Sequence, residues 1–88
     1  MIYVTAIQLI GGVEHEHIER VRWRDPETKR SGEHKRALMV KWIRGGGVGR
    51  IENRDGCFEL GVVEDDPPYI RARADGVWTD SLLALPRF

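Results

Sequence analysis

The first residues with the means to do chemistry are His15-Glu16-His17. On an extended segment, two histidines at i and i+2 project to the same side and can grip a metal ion. A complete site needs further ligands, and His34, Cys57 or a carboxylate would have to supply them. Nothing in their spacing converges on His15 and His17, so a polar loop packed against a sheet through His17 or Ile18 is the plainer expectation. Cys57 could act as a nucleophile only beside a histidine in an electropositive setting. It opens a strand after a hairpin turn, on the face opposite Phe58 and Leu60, and reads as a small, partly buried structural residue. Glu64-Asp65-Asp66 and Asp75 with Asp80 offer carboxylates, but general acid–base work needs one with a raised pKa in a cleft. A solvated loop before Pro67 and a capping Asp80 explain them more simply. Gly45-Gly46-Gly47-Val48-Gly49 resembles a phosphate loop in composition only, because it follows a helix instead of opening one. No catalytic residue, metal or other cofactor is expected.

Arginine patterning is the more informative signal. Arg20, Arg22 and Arg24 alternate along one segment, and Tyr69, Arg71 and Arg73 along another. If those two strands were neighbours, the guanidinium groups and the Tyr69 ring would coat one face of a sheet. Such a surface suits single-stranded nucleic acid, through stacking and phosphate contact, or an acidic protein partner. It also reads as a solvated face neutralised across strands by Glu52 and Glu59. Arg20, Arg22, Tyr69, Arg71 and Arg73 are therefore the candidate binding residues.

The elements that must position these residues follow from periodicity. Val4 to Ile10 is rich in β-branched residues and stops at Gly11-Gly12, as a central strand would. His17 to Arg24 alternates, with Val21 and Trp23 opposite the arginines, and should pair antiparallel with the first strand. Ile18 falls on the arginine side and breaks the pattern. Asp25 to Gly32 reads as a turn and loop, with Ser31 as N-cap of a helix over Glu33–Arg44 whose apolar stripe is Leu38, Met39, Trp42 and Ile43. Gly45-Gly46-Gly47 ends it. Asp55-Gly56 joins two strands as a hairpin, with Phe58, Leu60 and Val62 turned to the helix. After Pro67-Pro68, Tyr69 to Ala74 alternates with Ile70, Ala72 and Ala74 inward. Trp78 with Leu82, Leu83 and Leu85 should seal one end of the core, beside a short helical turn capped by Thr79 or Asp80. The expected fold is α+β in the order β-β-α-β-β-β, one amphipathic helix on one face of a mainly antiparallel sheet, with residues 1–88 a single domain.

Composition sets the outer limits. The chain is 41% hydrophobic and 32% charged, too apolar for disorder and too polar for a membrane span. Fourteen basic and 14 acidic residues cancel, which argues against general nucleic-acid or anionic-membrane binding while leaving room for a local patch. The lone Cys57 and a start without a basic, cleavable leader point to the cytoplasm.

Tyr3-Val4-Thr5-Ala6, His15-Glu16-His17-Ile18 leading to Trp23, and Arg36-Ala37-Leu38-Met39-Val40 together form a recognisable pattern. Its most specific parts are Pro67-Pro68-Tyr69-Ile70-Arg71 and the run from Ala74-Asp75-Gly76-Val77-Trp78 to Leu85-Pro86. The chain resembles, nearly end to end, the bacterial domain-of-unknown-function family 3892. That resemblance implies a compact bacterial domain and brings no activity with it. The combined reading is a small non-enzymatic binding or interaction module of the bacterial cytoplasm, with self-association as a homodimer or a protein partner in view. The alternatives are a single-stranded nucleic-acid-binding domain on the same arginine face, and a small enzyme or metal-binding protein near His15 and His17.

Overall fold

A computed structural model describes all 88 residues, Met1 to Phe88. Seven strands, β1 (Ile2–Leu9), β2 (Ile18–Arg24), β3 (Ser31–Lys35), β4 (Gly49–Asn53), β5 (Gly56–Val63), β6 (Tyr69–Ala74) and β7 (Val77–Thr79), form one sheet in the order β3-β2-β1-β4-β5-β6-β7. Every neighbouring pair is antiparallel except β1 and β4, which run parallel. The helix α1 (Arg36–Arg44) lies between β3 and β4 in the chain and supplies the crossover that a parallel pair requires. It touches β2 and β3 on one side and β5 and β6 on the other, so the sheet wraps around it. The α+β class and the single helix on one face agree with the sequence expectation.

The strand count and order differ from it. Ser31–Lys35 is a strand and not the start of a helix, so Ser31 caps nothing and α1 begins at Arg36. Gly32 and His34 face the core side while Ser31, Glu33 and Lys35 face out, and each pairs with a residue of β2. Ladder hydrogen bonds and the Arg22–Glu33 ion pair outweigh the local capping signal of Ser31. β7 was also unforeseen: Asp75, at φ 52°, and Gly76, at φ 78°, turn β6 straight back on itself. The Asp-Gly hairpin is present, with Asn53 opposite Gly56 across Arg54 and Asp55.

Two bulges place the core. Val4 faces Trp23 and Ala6 faces Arg22, so Thr5 is extra and both Val4 and Ile7 point inward. Likewise Gln8 faces Arg20 and Leu9 faces Ile18, leaving Glu19 unpaired. That bulge returns Ile18 to the core side and accounts for the break in alternation noted above. Met39 and Val40 from α1 meet Val21, Ile51, Leu60, Ile70 and Ala72 in one cluster of 12 buried residues. Leu38, expected in the stripe, is instead 49% exposed.

α1 ends in a Schellman motif. Gly47 N–H donates to the Trp42 carbonyl and Gly46 N–H to that of Ile43, with Gly46 at φ 101°. Past β7, the 3₁₀ turn Ser81–Ala84 buries Leu82 and leads the chain back to β1. There Ile7 N–H donates to the Pro86 carbonyl at 2.9 Å, and Phe88 N–H donates to the Ile7 carbonyl at 3.1 Å. The terminal segment thus occupies the flank of β1 that β4 leaves after Tyr3. Thr79 Oγ1 receives the Ser81 N–H, while the Asp80 side chain makes no capping bond. No helix is long and apolar enough to cross a membrane.

Candidate functional site

The registers define the outer face, the one turned away from α1. They place Arg20, Arg22, Arg24, Lys35, Arg50, Arg71 and Arg73 on it, against Glu33, Glu52 and Glu59, with Asp80 reaching Arg71 from the end of β7. The face is therefore positive in a chain whose formal charge is zero.

The two arginine strands are not neighbours. β1, β4 and β5 stand between β2 and β6, which overturns the premise on which the candidate residues were grouped. A different connection replaces it. Ser31 faces Arg24, Arg24 faces Tyr3, Tyr3 faces Arg50, Arg50 faces Glu59, Glu59 faces Arg73 and Arg73 faces Trp78. One transverse row thus crosses all seven strands, spanning roughly 29 Å at ordinary strand spacing. Its arginines, Arg24, Arg50 and Arg73, belong to three different strands.

Aromatic rings support the guanidinium groups. Arg24 lies 4.9 Å from the centre of the Tyr3 ring, and Arg73 lies 5.7 Å from that of Trp78. Beside the row, Arg22 sits 4.2 Å from the centre of the Phe88 ring, which the terminal segment delivers. Such proximity to a ring face favours the cation. The molecule has three ion pairs, Arg22–Glu33, Arg44–Glu64 and Arg71–Asp80. Arg24, Arg50 and Arg73 take part in none of them, although Glu59 stands between Arg50 and Arg73; Arg24 and Arg73 are exposed and Arg50 is half-buried.

Each sequence-derived candidate has a distinct place. Arg22 is exposed, stacked on Phe88 and bonded to Glu33 at 3.0 Å. Arg73 is exposed within the row. Arg20 is half-buried between Gln8 and Lys35, and Tyr69 is half-buried opposite Val63 at the start of β6. Arg71 is turned to structural use: it donates to Asp80 Oδ1 at 3.0 Å and to the Thr79 carbonyl at 3.4 Å, tying β6 to the end of β7. Trp78, expected in the core, lies on the outer face across Gly61, which has no Cβ to hold it off. Sequence reasoning left Tyr3, Arg24, Arg50 and Trp78 out of the site. Alternation within a strand gives the face of each residue, but only the register across strands gives the row.

His15 and His17 do not share a side. They lie on a 3₁₀ turn, not an extended segment. His17 turns back over Gly12, where its Nδ1 accepts the Glu14 N–H at 3.1 Å. His15 is buried near Arg71, Asp80 and Glu14, with its Nε2 unpartnered. Burial holds its pKa below the ordinary value, and the Arg71 charge adds to this against the opposing carboxylates of Asp80 and Glu14. No three side chains among His, Cys, Asp and Glu come together as a metal would require. Cys57 is exposed, not partly buried, at the hairpin end of β5.

No curated protein and no solved structure matches this chain. The model of one family does, over residues 3–86, a span running from Tyr3 in the transverse row through Trp78 to Pro86. The chain belongs to DUF3892, a family of proteins of unknown function.

Proposed function

We propose that the protein is a non-enzymatic interaction module whose outer sheet face binds an acidic segment of a partner protein. The observation that carries this reading is the transverse row, in which Arg24, Arg50 and Arg73 form no ion pair and share the single carboxylate of Glu59, while Tyr3 and Trp78 lie beside two of them. A stacked guanidinium presents its N–H edge outward, in the geometry that receives a carboxylate through two hydrogen bonds.

The same contacts favour a protein segment over nucleic acid. Bases bind open sheets by stacking on free aromatic faces. Here Tyr3, Trp78 and Phe88 already carry an arginine. Carboxylates need only the guanidinium edges. Self-association through a sheet edge fits less well, because the edge strands β3 and β7 are short, a form that discourages edge pairing. The lone exposed thiol of Cys57 suits a reducing compartment and supports a setting in the bacterial cytoplasm.

The test is fluorescence anisotropy with a labelled peptide of alternating Asp and Glu, and with single-stranded oligo-dT, each at two salt concentrations. The peptide should bind with salt-sensitive affinity. Arg50→Ala/Arg73→Ala should abolish binding, while Lys41→Ala/Arg54→Ala, which removes equal charge away from the row, should leave it nearly intact. Tighter binding of oligo-dT would transfer the face to nucleic acid. Equal loss in both double variants would show mere attraction to net charge and end the reading.

A further inference from the structure

On the opposite side of the sheet, we infer a second site: a cleft between the β2–β3 hairpin and α1 that takes a small aromatic α-amino acid or a close analogue. Its volume is about 380 Å³, within the range of small-ligand pockets. The indoles of Trp23 and Trp42, with Ile2 and Leu38, form an apolar wall, while Asp25 and Arg30 supply a polar rim. His34 extends the aromatic wall, its ring centre 5.3 Å from that of Trp23.

Glycines hold the two indoles in position. Trp42 lies across Gly47 in the Schellman turn, where any Cβ would overlap the ring. Trp23 lies against Gly32, where a Cβ would come within 3.0 Å. The Trp23 Nε1–H is buried and has no acceptor within the protein. Gly32 covers that edge of the ring, so the indole offers the cleft its apolar surface and not its N–H.

The rim is equally fixed. The hairpin loop is held by its own bonds: Asp25 Oδ1 accepts the N–H of Glu27 at 2.9 Å and of Thr28 at 3.3 Å. Asp25 N–H donates to the Arg30 carbonyl at 2.7 Å, and Lys29 N–H to the Asp25 carbonyl at 2.8 Å. Lys29 sits at φ 59°, a left-handed conformation uncommon outside glycine and the kind of backbone outlier that gathers at binding sites. The Glu27 N–H, with help from that of Thr28, holds the Asp25 carboxyl below its usual pKa, so it stays ionised. The Thr28 side chain and the Met1 α-ammonium, both at the same rim, add to this. Arg30 has no carboxylate within pairing distance.

These groups match one ligand chemistry. Arg30 receives a carboxylate, Asp25 an ammonium, and the indole walls an aromatic ring. A ligand with only one of the two charges engages only one of the two rim groups.

The probes are L-tryptophan, indole-3-propionate, which lacks the ammonium, and tryptamine, which lacks the carboxylate. Each is titrated into the ¹⁵N-labelled full chain while the three protein indole N–H resonances are followed. L-Tryptophan should shift Trp23 and Trp42 saturably and leave Trp78, on the other face, unmoved. Both truncated probes should bind more weakly. Arg30→Ala, an exposed change whose fold is verified by an unmoved Trp78 signal, should weaken L-tryptophan and indole-3-propionate about tenfold and leave tryptamine unchanged. The inference is overturned by no saturable shift at millimolar probe, by equal movement of Trp78, or by indifference to Arg30→Ala. Equal affinity for indole-3-propionate and L-tryptophan overturns the amino-acid assignment. None of these outcomes bears on the outer face, whose test uses other ligands and other residues.

Discussion

Trp78 lies across Gly61 on the outer face of the sheet, so close that a Cβ at position 61 would come within 2.9 Å of the indole. The same Cβ would come within 3.2 Å of the Arg73 guanidinium carbon, so one small residue seats both members of the cation–π pair. Trp42 repeats the relationship on the inner face with Gly47, and Trp23 with Gly32. Each tryptophan of this chain therefore has a glycine as its seat.

Gly61→Ala and Gly47→Ala should consequently behave differently. At Gly61 the clash is with the far edge of an exposed ring that can swing outward. Stability should change by less than about 1 kcal/mol, because lost chain entropy in the unfolded state offsets the crowding. The Trp78 indole resonance should move and acidic-peptide affinity should fall. At Gly47 the clash is with the fused atoms of a half-buried indole, so overpacking should cost about 1–3 kcal/mol. Urea unfolding of both variants, read beside their indole spectra, checks the contrast.

Arg71 and Arg73 share a strand and a face but not a role. Arg71→Ala removes two hydrogen bonds, one to a carboxylate, that tie β6 to the end of β7, and should cost about 1–3 kcal/mol. Arg71→Lys should recover little of it, since a single ammonium does not reproduce the guanidinium fork. Arg73→Ala should leave stability within about 0.5 kcal/mol, as an exposed residue without an ion pair, while weakening peptide binding. Thermal melts and peptide titrations on the three variants separate the roles.

His15 gives the fold a defined response to acid. Its pKa is lowered by burial and by Arg71, so the unfolded chain takes up a proton before the folded one does. The stability it preserves is present above the unfolded value of about 6.5 and is lost as pH falls through that value toward the folded one. Urea midpoints at pH 8 and pH 5.5 should differ for the natural chain, with less difference in His15→Gln. Asp25 contributes only at lower pH, because its carboxyl is ionised throughout that interval.

Much of this architecture was legible in the sequence. Alternation showed which residues of β2 and β6 face out, Asp55-Gly56 marked the hairpin, and the glycine run marked the end of α1. What escaped was set by interactions between segments. Ser31 carries a cap signal that pairing with β2 overrides, and Ile18 breaks a pattern that a bulge at Glu19 restores. Trp78 is apolar enough to suggest core, yet Gly61, seventeen positions away, opens a seat for it on the surface. The row from Ser31 to Trp78 draws one residue from each of seven strands, and no local pattern announces such a register.

The most direct test of the outer-face account is chemical-shift mapping of the ¹⁵N-labelled protein with the acidic peptide. Saturable shifts are expected at Arg24, Tyr3, Arg50, Arg73 and Trp78, continuous across the sheet, with α1 and the indoles of Trp23 and Trp42 quiet. Shifts confined to α1 or the inner cleft, or none at concentrations where Asp-Glu peptide is in large excess, would contradict it.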